Sequence, residues 1–363
     1  MKIAIILGTR PEIIKMAPII KECKKRRLNY FIIHTNQHYV QYLDKIFFKE
    51  LELPLPKYNL NVGSDTPAQQ TGKMLIKIEE VLLKEKPDIV LVEGDTNTVL
   101  AGALAAVKLH IKVGHIEAGL RSYFREMPEE INRILTDHLS DILFAPTKKA
   151  RDILIKESIP KERIFVTGNT IVDAVIQNLK ITQKKSKISE KLNLFKKQYF
   201  LVTLHRQENV DNKERLKNIL KGLELVSDKF SLPIIFPIHP RTLKMVKTFN
   251  LKIPPKIKII EPVGFLDFLK LEANALLVLT DSGGVQEETC ILKVPCVTLR
   301  DNTERPETLE VKSNILAGAD SKKIIKSVEK MLNSKRKWKN PFGDGKSGKR
   351  ILNIIKKIER EKL

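Results

Sequence analysis

Short apolar runs of four to six residues alternate along the chain with longer segments that repeat apolar residues every three or four positions. The short runs are typical of strands buried on both faces, and the longer segments are typical of amphipathic helices. Their alternation predicts βαβ units and therefore parallel sheets covered by helices. We expect strands at residues 2–7, 30–34, 89–93, 112–116, 142–145, 164–166, 199–203, 233–237, 257–260, 275–280 and 296–299.

A lysine-rich segment at residues 180–200 interrupts this pattern, which then begins again. A chain of 363 residues is longer than one hydrophobic core usually serves, so two domains are expected. The interruption indicates a boundary within residues 168–197. Each half is then predicted to be a doubly wound, Rossmann-like α/β unit, with a ligand cleft between the two.

The chain carries 65 Lys and Arg against 43 Asp and Glu, a formal net charge of +22. Residues 180–200, with a net charge of +6, and residues 331–363, with +8, supply 14 of these charges. Neither stretch has the pattern of an RNA-binding sheet, a zinc finger or a basic zipper. We interpret both as solvated surfaces and expect no nucleic-acid partner, although part of the remaining charge suits an anionic small-molecule ligand.

Metal-binding and membrane-targeting patterns are not found in the sequence. The three cysteines form no CxxC pair and the seven histidines show no HExxH spacing, so we expect no metal site. The first apolar run ends at Leu7 and is short for a signal peptide, and no apolar stretch approaches the length of a membrane span. We expect a cytoplasmic enzyme with no membrane partner.

Charged side chains follow the predicted strands of the first half, at the edge where ligands bind in such folds. Arg10 in the first turn suits an anionic group near a helix N-terminus, and Lys15 beyond it fits either this role or a surface position. Asp95 and Glu117 follow later strands, whereas Glu129 begins a helix. Asp95 also fits a helix cap and Glu129 a helix-dipole residue. Carboxylates gathered at one edge repel one another, which raises a pKa toward values that suit proton transfer.

A histidine and a glycine-rich turn follow two predicted strands of the second half. His205 beside Arg206 suits phosphate binding or acid–base chemistry, although an isolated histidine is more often structural. The strand-Asp-Ser-Gly-Gly-helix pattern at 277–288 leaves backbone N–H groups open to a phosphate, and no GxGxxG or Walker motif favours a dinucleotide or ATP. Glu288 suits a ribose diol and Arg305 a phosphate. Together with the carboxylates of the first half, these features indicate a sugar-nucleotide ligand.

Seven motifs occur in order between residues 8 and 307: GTRPE, EGDTNT, IEAGLRS, PEEINR, VTLHRQEN, LTDSGGVQEE and RDNTERPE. Together they closely resemble those of the non-hydrolysing UDP-N-acetylglucosamine (UDP-GlcNAc) 2-epimerases. The resemblance implies a glycosyltransferase-B type fold, with residues 1–169 and the helix 350–363 in the first domain and residues 170–349 in the UDP-binding domain. It also implies a homodimer and a role in surface polysaccharide or glycan synthesis.

The resemblance implies that the protein interconverts UDP-GlcNAc and UDP-N-acetylmannosamine (UDP-ManNAc). In the family's route UDP is eliminated to give 2-acetamidoglucal and is then added back with the opposite configuration at carbon 2. This route needs acid and base groups but neither NAD nor a metal, so no cofactor is expected. One alternative is a glycosyltransferase of the same fold, which would need an acceptor pocket. Another is a hydrolysing epimerase, whose bifunctional forms carry a kinase domain for which this chain has no room.

Site residues are carried over from the family by motif. The resemblance implies that Phe268 lies near the uracil and Glu288 at the ribose, and that the diphosphate is held mainly by the Ser-Gly-Gly turn and the arginines. The catalytic residues are expected to be Asp95, Glu117, Glu129 and His205, and the residues binding the UDP-sugar Arg10, Lys15, Phe268, Ser282, Gly283, Gly284, Glu288 and Arg305. Some bacterial members are activated by a second substrate molecule; the corresponding residues here are Gln37, His38, Gln70 and Glu208, with departures from that pattern at Val40 and Gln69.

Overall fold

A computed structural model of the protein describes residues 1–36 and 47–361. The chain divides into two compact units, one of Met1–Ile176 with Phe342–Leu363 and the other of Gln177–Pro341. The limits predicted from the sequence, at residues 169 and 350, lie near these positions. A helix at Thr170–Lys185 runs across the first boundary, so no loop marks it in the sequence.

The first unit is built on a parallel sheet. In the described residues its strands are β1 Lys2–Leu7, β2 Asn29–His34, β3 Tyr58–Asn59, β4 Ile89–Glu93, β5 Lys112–Ile116, β6 Ile142–Ala145 and β7 Ile164–Val166. They lie in the order β3-β2-β1-β4-β5-β6-β7. The strand order therefore reverses between β1 and β4, which are adjacent and parallel.

The second unit repeats this plan. Its strands are β8 Phe200–Thr203, β9 Ile234–Pro237, β10 Ile257–Ile260, β11 Leu277–Thr280, β12 Cys296–Thr298 and β13 Asn314–Leu316. Their order in the sheet is β10-β9-β8-β11-β12-β13, so here the order reverses between β8 and β11. The two doubly wound units confirm the predicted α/β fold class.

Helices connect the strands. Those with both ends in the described residues are α1 Arg10–Lys25, α2 Pro67–Glu85, α3 Asn97–Lys108, α4 Pro128–Leu139, α5 Lys148–Lys156, α6 Thr170–Lys185, α7 Ile188–Lys191, α8 Gln207–Val210, α9 Lys213–Phe230, α10 Pro240–Thr248, α11 Phe265–Asn274, α12 Gly283–Leu292, α13 Pro306–Glu310, α14 Ser321–Leu332 and α15 Ser347–Arg360. Within residues 1–36 and 47–361, no helix combines the length and the apolar character that crossing a membrane requires.

Burial on both faces explains why the strands are continuously apolar. Residues 3–7 of β1 are fully buried. Ala4 and Ile6 belong to a core cluster that also contains Met74 and Ile78 of α2. Helix α15 packs against α1 within the first unit.

Each predicted run of residues contains a strand, but β3 and β13 were not predicted. Both are edge strands of two or three residues. Such short strands at the margin of a sheet carry too few apolar positions to form a recognisable run.

Candidate active site

The predicted site residues follow the strands at which each sheet reverses its order. Arg10 begins α1 after β1, and Asp95 follows β4. In the second unit, His205 follows β8 and Ser282 follows β11. Where the order of a parallel sheet reverses, the connecting loops diverge and leave a crevice at the carboxyl ends of the strands. The topology of each unit thus favours ligand binding at its own candidate residues.

The turn after β1 is held by Glu12, which was not among the predicted site residues. Oε2 of Glu12 accepts hydrogen bonds from the backbone N–H groups of Gly8 at 2.5 Å and Thr9 at 3.2 Å. Its Oε1 accepts one from the hydroxyl of Thr96 at 2.5 Å. Burial raises the pKa of Glu12 to about 7, although these hydrogen bonds oppose the change. The Thr9-x-x-Glu12 pattern is that of a capping box, so the sequence did contain a signal.

Lys15 lies within a buried group of acidic side chains. Its Nζ donates a hydrogen bond to Oε2 of Glu117 and lies 3.4 Å from Oε1 of Glu93. The side-chain amide of Asn169 also donates to Oε2 of Glu117, at 3.2 Å. Lys15 is 7% exposed, Glu93 2% and Glu117 7%. The interpretation of Lys15 as a surface cation is therefore wrong.

Glu93 and Glu117 come together because Glu93 ends β4 and Glu117 follows the neighbouring strand β5. Glu93 is the last residue of β4 and pairs with Ile116, the last residue of β5. Burial raises the pKa of Glu93 well above its usual range; Lys15 opposes this shift, whereas Glu117 and Glu12 add to it.

The backbone of Glu117 adopts an unusual conformation. Its φ of +69° lies in the left-handed region, which residues with a side chain seldom enter. Its N–H donates to the carbonyl oxygen of Phe144 at 3.1 Å, which fixes this conformation against β6. Backbone strain of this kind is concentrated at functional sites.

Asp95 is held by a second network. One of its carboxylate oxygens accepts a hydrogen bond from Arg133, whose other terminal nitrogen donates to Glu130 at 2.7 Å. The backbone carbonyl of Asp95 accepts a hydrogen bond from the amide of Asn132 at 3.0 Å. The Asp95 side chain is nevertheless 28% exposed, so it combines a fixed position with access to solvent.

The adjacent acids Glu129 and Glu130 have different surroundings. Glu130 is buried and accepts hydrogen bonds from the backbone N–H groups of Ser122 at 2.9 Å and Tyr123 at 2.8 Å. Glu130 thus fixes the loop that precedes α4. Glu129 is half-buried, and its acid–base role stays a prediction.

A buried ion cluster supports the turn that carries Asp95. Nδ1 of His115 lies 2.7 Å from Oδ1 of Asp137, and Nε2 lies 2.8 Å from the carbonyl oxygen of Gly94. Because both partners are acceptors, both hydrogen bonds form only when both ring nitrogens carry hydrogen. Arg121 lies 2.7 Å from Asp137 as well. Burial opposes ionisation of Asp137, but His115 and Arg121 together lower its pKa.

In the second unit, Asp281 joins the loop after β8 to the loop after β11. Its buried carboxylate accepts hydrogen bonds from the backbone N–H groups of His205 at 3.0 Å and Arg206 at 2.9 Å. Its Oδ1 also lies 3.2 Å from Nδ1 of His205. Burial opposes ionisation of Asp281, but His205 and the backbone N–H groups lower its pKa. The His205 ring is thereby oriented while remaining 38% exposed.

The N-terminus of α12 has the geometry expected of an anion site. Ser282 precedes the helix, and Gly283 and Gly284 form its start. The first N–H groups of a helix have no acceptor within the helix, and the helix dipole favours an anion there. A Cβ on Gly283 would lie 2.5 Å from Oε1 of Glu304, so a larger side chain is disfavoured at this position.

Two buried arginines organise the loop after β12. Nε of Arg305 donates to Oε1 of Glu287 at 2.6 Å. Nε of Arg300 donates to Glu208 at 2.9 Å, and its Nη1 donates to Glu304 at 2.8 Å. Glu208, predicted for the activator site, is therefore part of an ion-pair network beside α12.

The residues predicted to hold the nucleoside lie on α11 and α12. Glu288 adjoins the wholly buried Glu272, whose pKa burial raises well above its usual range, with a further increase from Glu288. Phe268 is half-buried and packs against a core cluster that contains Tyr199 and Leu271.

Other predicted residues are placed as follows. The Arg10 guanidinium lies 5.4 Å from the ring centroid of Phe47, within range of a cation–π contact. The amide of Gln70 donates to the carbonyl of Gly63 at 2.8 Å and accepts from Asn97 at 3.0 Å. Gln37, His38 and Val40 lie outside the described residues.

Comparison with known proteins identifies the family. A family model described as UDP-N-acetylglucosamine 2-epimerase matches residues 21–356. A protein named UDP-N-acetylglucosamine 2-epimerase from Methanocaldococcus jannaschii is 64% identical over 361 residues, covering 98% of this chain and 99% of that protein. One of the same name from Methanococcus maripaludis is 62% identical over 360 residues, covering 98% of each. This chain belongs to the UDP-N-acetylglucosamine 2-epimerase family.

A crystal structure of a member of this epimerase family shows the same fold. The M. jannaschii UDP-GlcNAc 2-epimerase in complex with UDP-GlcNAc and UDP matches with a TM-score of 0.94 at 64% identity, over 98% of this chain and 99% of that one. Membership of the epimerase family favours epimerisation over the glycosyltransferase alternative.

The contacts also reveal residues that lie within the quoted motifs but were not among the predicted site residues. Glu93, Arg133 and Asp281 each bind or adjoin a predicted site residue. Asp281 was detectable, because it precedes the Ser-Gly-Gly turn, but the partners of Glu93 and Arg133 are distant in sequence. No group of three or more His, Cys, Asp or Glu side chains suited to a metal ion occurs within residues 1–36 and 47–361.

Proposed function

We propose that this protein interconverts UDP-GlcNAc and UDP-ManNAc by inverting carbon 2 of the sugar. Family membership supports the substrate class. The observation that carries the chemistry is the buried contact of Lys15 with Glu117, together with the anchored and partly exposed Asp95 after the neighbouring strand. These carboxylates follow neighbouring strands of one sheet, where a reacting sugar can meet both.

The proposed route is an elimination followed by an addition. A base takes the proton from carbon 2, the electron pair of that C–H bond forms the C1=C2 double bond, and the C1–oxygen bond to UDP breaks. The products are 2-acetamidoglucal and UDP. An acid then delivers a proton to the opposite face of carbon 2 while an oxygen of UDP attacks carbon 1. The two reaction steps together are redox-neutral, so we propose that the reaction needs no NAD.

Proton transfer is assigned to the carboxylates of the first unit. Asp95, Glu117 and Glu129 are the proposed acid–base residues. Asp95 is positioned by Arg133, and Glu117 by Lys15 and Asn169. Fixed donors of this kind hold the carboxylates in a reactive geometry, which contributes to general acid–base catalysis.

Binding of UDP is assigned mainly to the second unit. We propose that the diphosphate accepts hydrogen bonds from Ser282 and from the N–H groups of Gly283 and Gly284, and that Arg305 and Arg10 supply positive charge. Cations and helix-terminal N–H groups stabilise the negative charge that develops on a departing diphosphate. The other proposed residues are His205 beside the diphosphate, Glu288 at the ribose and Phe268 near the uracil.

Two further properties are proposed from the family. A second substrate molecule could bind at Gln70 and Glu208, with Gln37 and His38 as the remaining residues.

A homodimer is supported by Ile76 and Leu83 of α2, which are 61% and 55% exposed and lie seven residues apart, on one face of the helix. Sedimentation of wild type and of Ile76→Glu compares their oligomeric states and so tests the dimer. A monomeric wild type would contradict it.

Incubation with UDP-GlcNAc in deuterated water, followed by proton NMR, tests the proposed function. We expect a mixture of both epimers with deuterium at carbon 2 and without added cofactor. Glu79→Gln, an exposed acid on α2, is the matched control and should react like wild type. Protium retained at carbon 2 of the epimerised product, or a requirement for NAD, would contradict the elimination route. Release of free N-acetylmannosamine would instead indicate a hydrolysing enzyme.

A further inference from the structure

Glu93 is a buried acid in contact with the proposed proton-transfer residues. It ends β4, is 2% exposed, and its Oε1 lies 3.4 Å from Nζ of Lys15. That oxygen has no hydrogen-bond partner among the described residues. The ionisable groups that influence Glu93 are Lys15 and Glu12 of α1 and Glu117 after β5.

The charges in this group do not balance if every carboxyl is ionised. Lys15 supplies one positive charge, whereas Glu12, Glu93 and Glu117 would supply three negative charges. Buried charge without a counter-ion is costly, so some of these carboxyls must hold a proton. Glu117 takes the hydrogen bond of Lys15 and that of Asn169, which favour its ionised form.

The absence of a hydrogen-bond donor at Oε1 of Glu93, within the described part of the chain, indicates which carboxyl is neutral beside Lys15. Glu12 accepts hydrogen bonds from two backbone N–H groups and a hydroxyl. Glu93 lacks such donors at Oε1, and burial raises its pKa well above the usual range. A proton on Glu93 lets that side chain donate a hydrogen bond, and Glu117 is the adjacent acceptor.

We propose that Glu93 is a positioning residue that stays protonated during turnover, so that Lys15 gives its full charge to Glu117. This inference rests on the proposed function of the same site. When Glu93 ionises at higher pH, Lys15 faces two carboxylates, and Glu117 shares its counter-ion with a second negative charge. Activity then falls on the alkaline side of the pH profile for a reason that lies outside the reacting residues.

Two substitutions separate this role from a packing role. Glu93→Gln keeps a neutral side chain that can donate a hydrogen bond at every pH. We expect it to keep most of kcat at neutral pH and to move the alkaline limb of the kcat profile to higher pH. Glu93→Leu keeps an apolar volume but cannot donate. We expect it to lower kcat by about tenfold or more, with a smaller change in KM and no loss of melting temperature.

An infrared measurement makes the test independent of turnover. The difference spectrum of wild type minus Glu93→Gln at neutral pH should contain the C=O stretch of a protonated carboxyl. Glu79→Gln, as the exposed control, should show the loss of an ionised carboxylate instead. A carboxylate band for Glu93, or an unchanged alkaline limb in an active Glu93→Gln enzyme, would overturn the proposal. A wild type that binds but does not epimerise UDP-GlcNAc overturns the proposed function, while the infrared result still reports the state of Glu93.

Discussion

The ammonium group of Lys15 donates a hydrogen bond to Oε2 of Glu117, although 102 positions of the chain separate the two residues. Lys15 lies in α1, after β1, and Glu117 follows β5; β4 lies between these strands in the sheet. The parallel sheet thus brings together an ion pair that no local sequence motif contains. Because both groups are buried, removal of one leaves the other without its counter-ion.

Replacement of Lys15 by Met tests this pair. Without the ammonium, the buried Glu117 carboxyl favours its protonated form, so less of it is ionised and able to accept a proton. We expect kcat to fall by about a hundredfold or more, as is typical when acid–base catalysis is lost. Steady-state kinetics should show this loss, whereas Lys108→Met, an exposed lysine on α3, should keep the wild-type rate. A normal kcat in Lys15→Met would show that the pair is structural.

Amide substitutions separate the carboxylates that transfer protons from those that hold the fold. Asp95→Asn and Glu117→Gln should each reduce kcat by about a hundredfold or more while UDP affinity changes little. Glu129→Gln should do the same if its predicted role is correct. Glu130→Gln is the matched comparison, because Glu130 holds the loop before α4; it should lower the melting temperature. Near-normal turnover of Glu129→Gln would leave Asp95 and Glu117 as the working pair.

The sequence was most informative where a local pattern of residues determines the local structure. The long apolar runs predicted the central strands because a strand buried on both faces is apolar throughout. The Ser282-Gly283-Gly284 turn was recognisable because a helix start after a strand needs only neighbouring residues. In contrast, β3 and β13 are short edge strands, and no apolar run marks them.

Long-range contacts within the candidate site could not be predicted from the sequence. The local sequence indicates only that Glu93 is the last residue of a strand. Its position beside Lys15 depends on the order β1-β4-β5 in the sheet. From the helical spacing alone, Arg133 is expected to form an ion pair with Glu130, one turn away in α4. In the structure it also binds Asp95. The burial that raises the pKa of Glu12 to about 7 arises from packing as well, which a single sequence does not report.

The diphosphate assignment predicts a loss of UDP affinity in two variants. Ser282→Ala removes a hydroxyl, and Arg305→Lys keeps a cation for the buried Glu287 while removing the planar guanidinium. Each should weaken UDP binding by about 1–3 kcal/mol, the range for a lost charge-assisted hydrogen bond. Calorimetric titration with UDP measures this effect. Ser321→Ala, at the start of α14, is the control; unchanged affinity in both site variants would place the diphosphate elsewhere.

We expect the stability of the protein to depend on pH through Glu12. Its pKa is about 7 in the folded protein against 4.5 for an ordinary glutamate, so the folded state binds the proton more tightly than the unfolded state. The stabilising contribution of Glu12 is therefore complete below about pH 4.5 and is lost as the pH rises to about 7. At 1.36 kcal/mol for each unit of pKa shift, the loss amounts to about 3 kcal/mol.

Glu12→Gln removes this titration but keeps an oxygen that can accept from Gly8 and Thr9. We expect its free energy of unfolding to vary less with pH between about 4.5 and about 7 than that of wild type. Denaturant unfolding at a series of pH values, followed for wild type, Glu12→Gln and the exposed control Glu79→Gln, measures the difference. Since Glu272 titrates in all three proteins and does not interact with Glu12, its effect cancels in the comparison. Parallel curves for wild type and Glu12→Gln would show that Glu12 is already ionised in the folded protein at acidic pH.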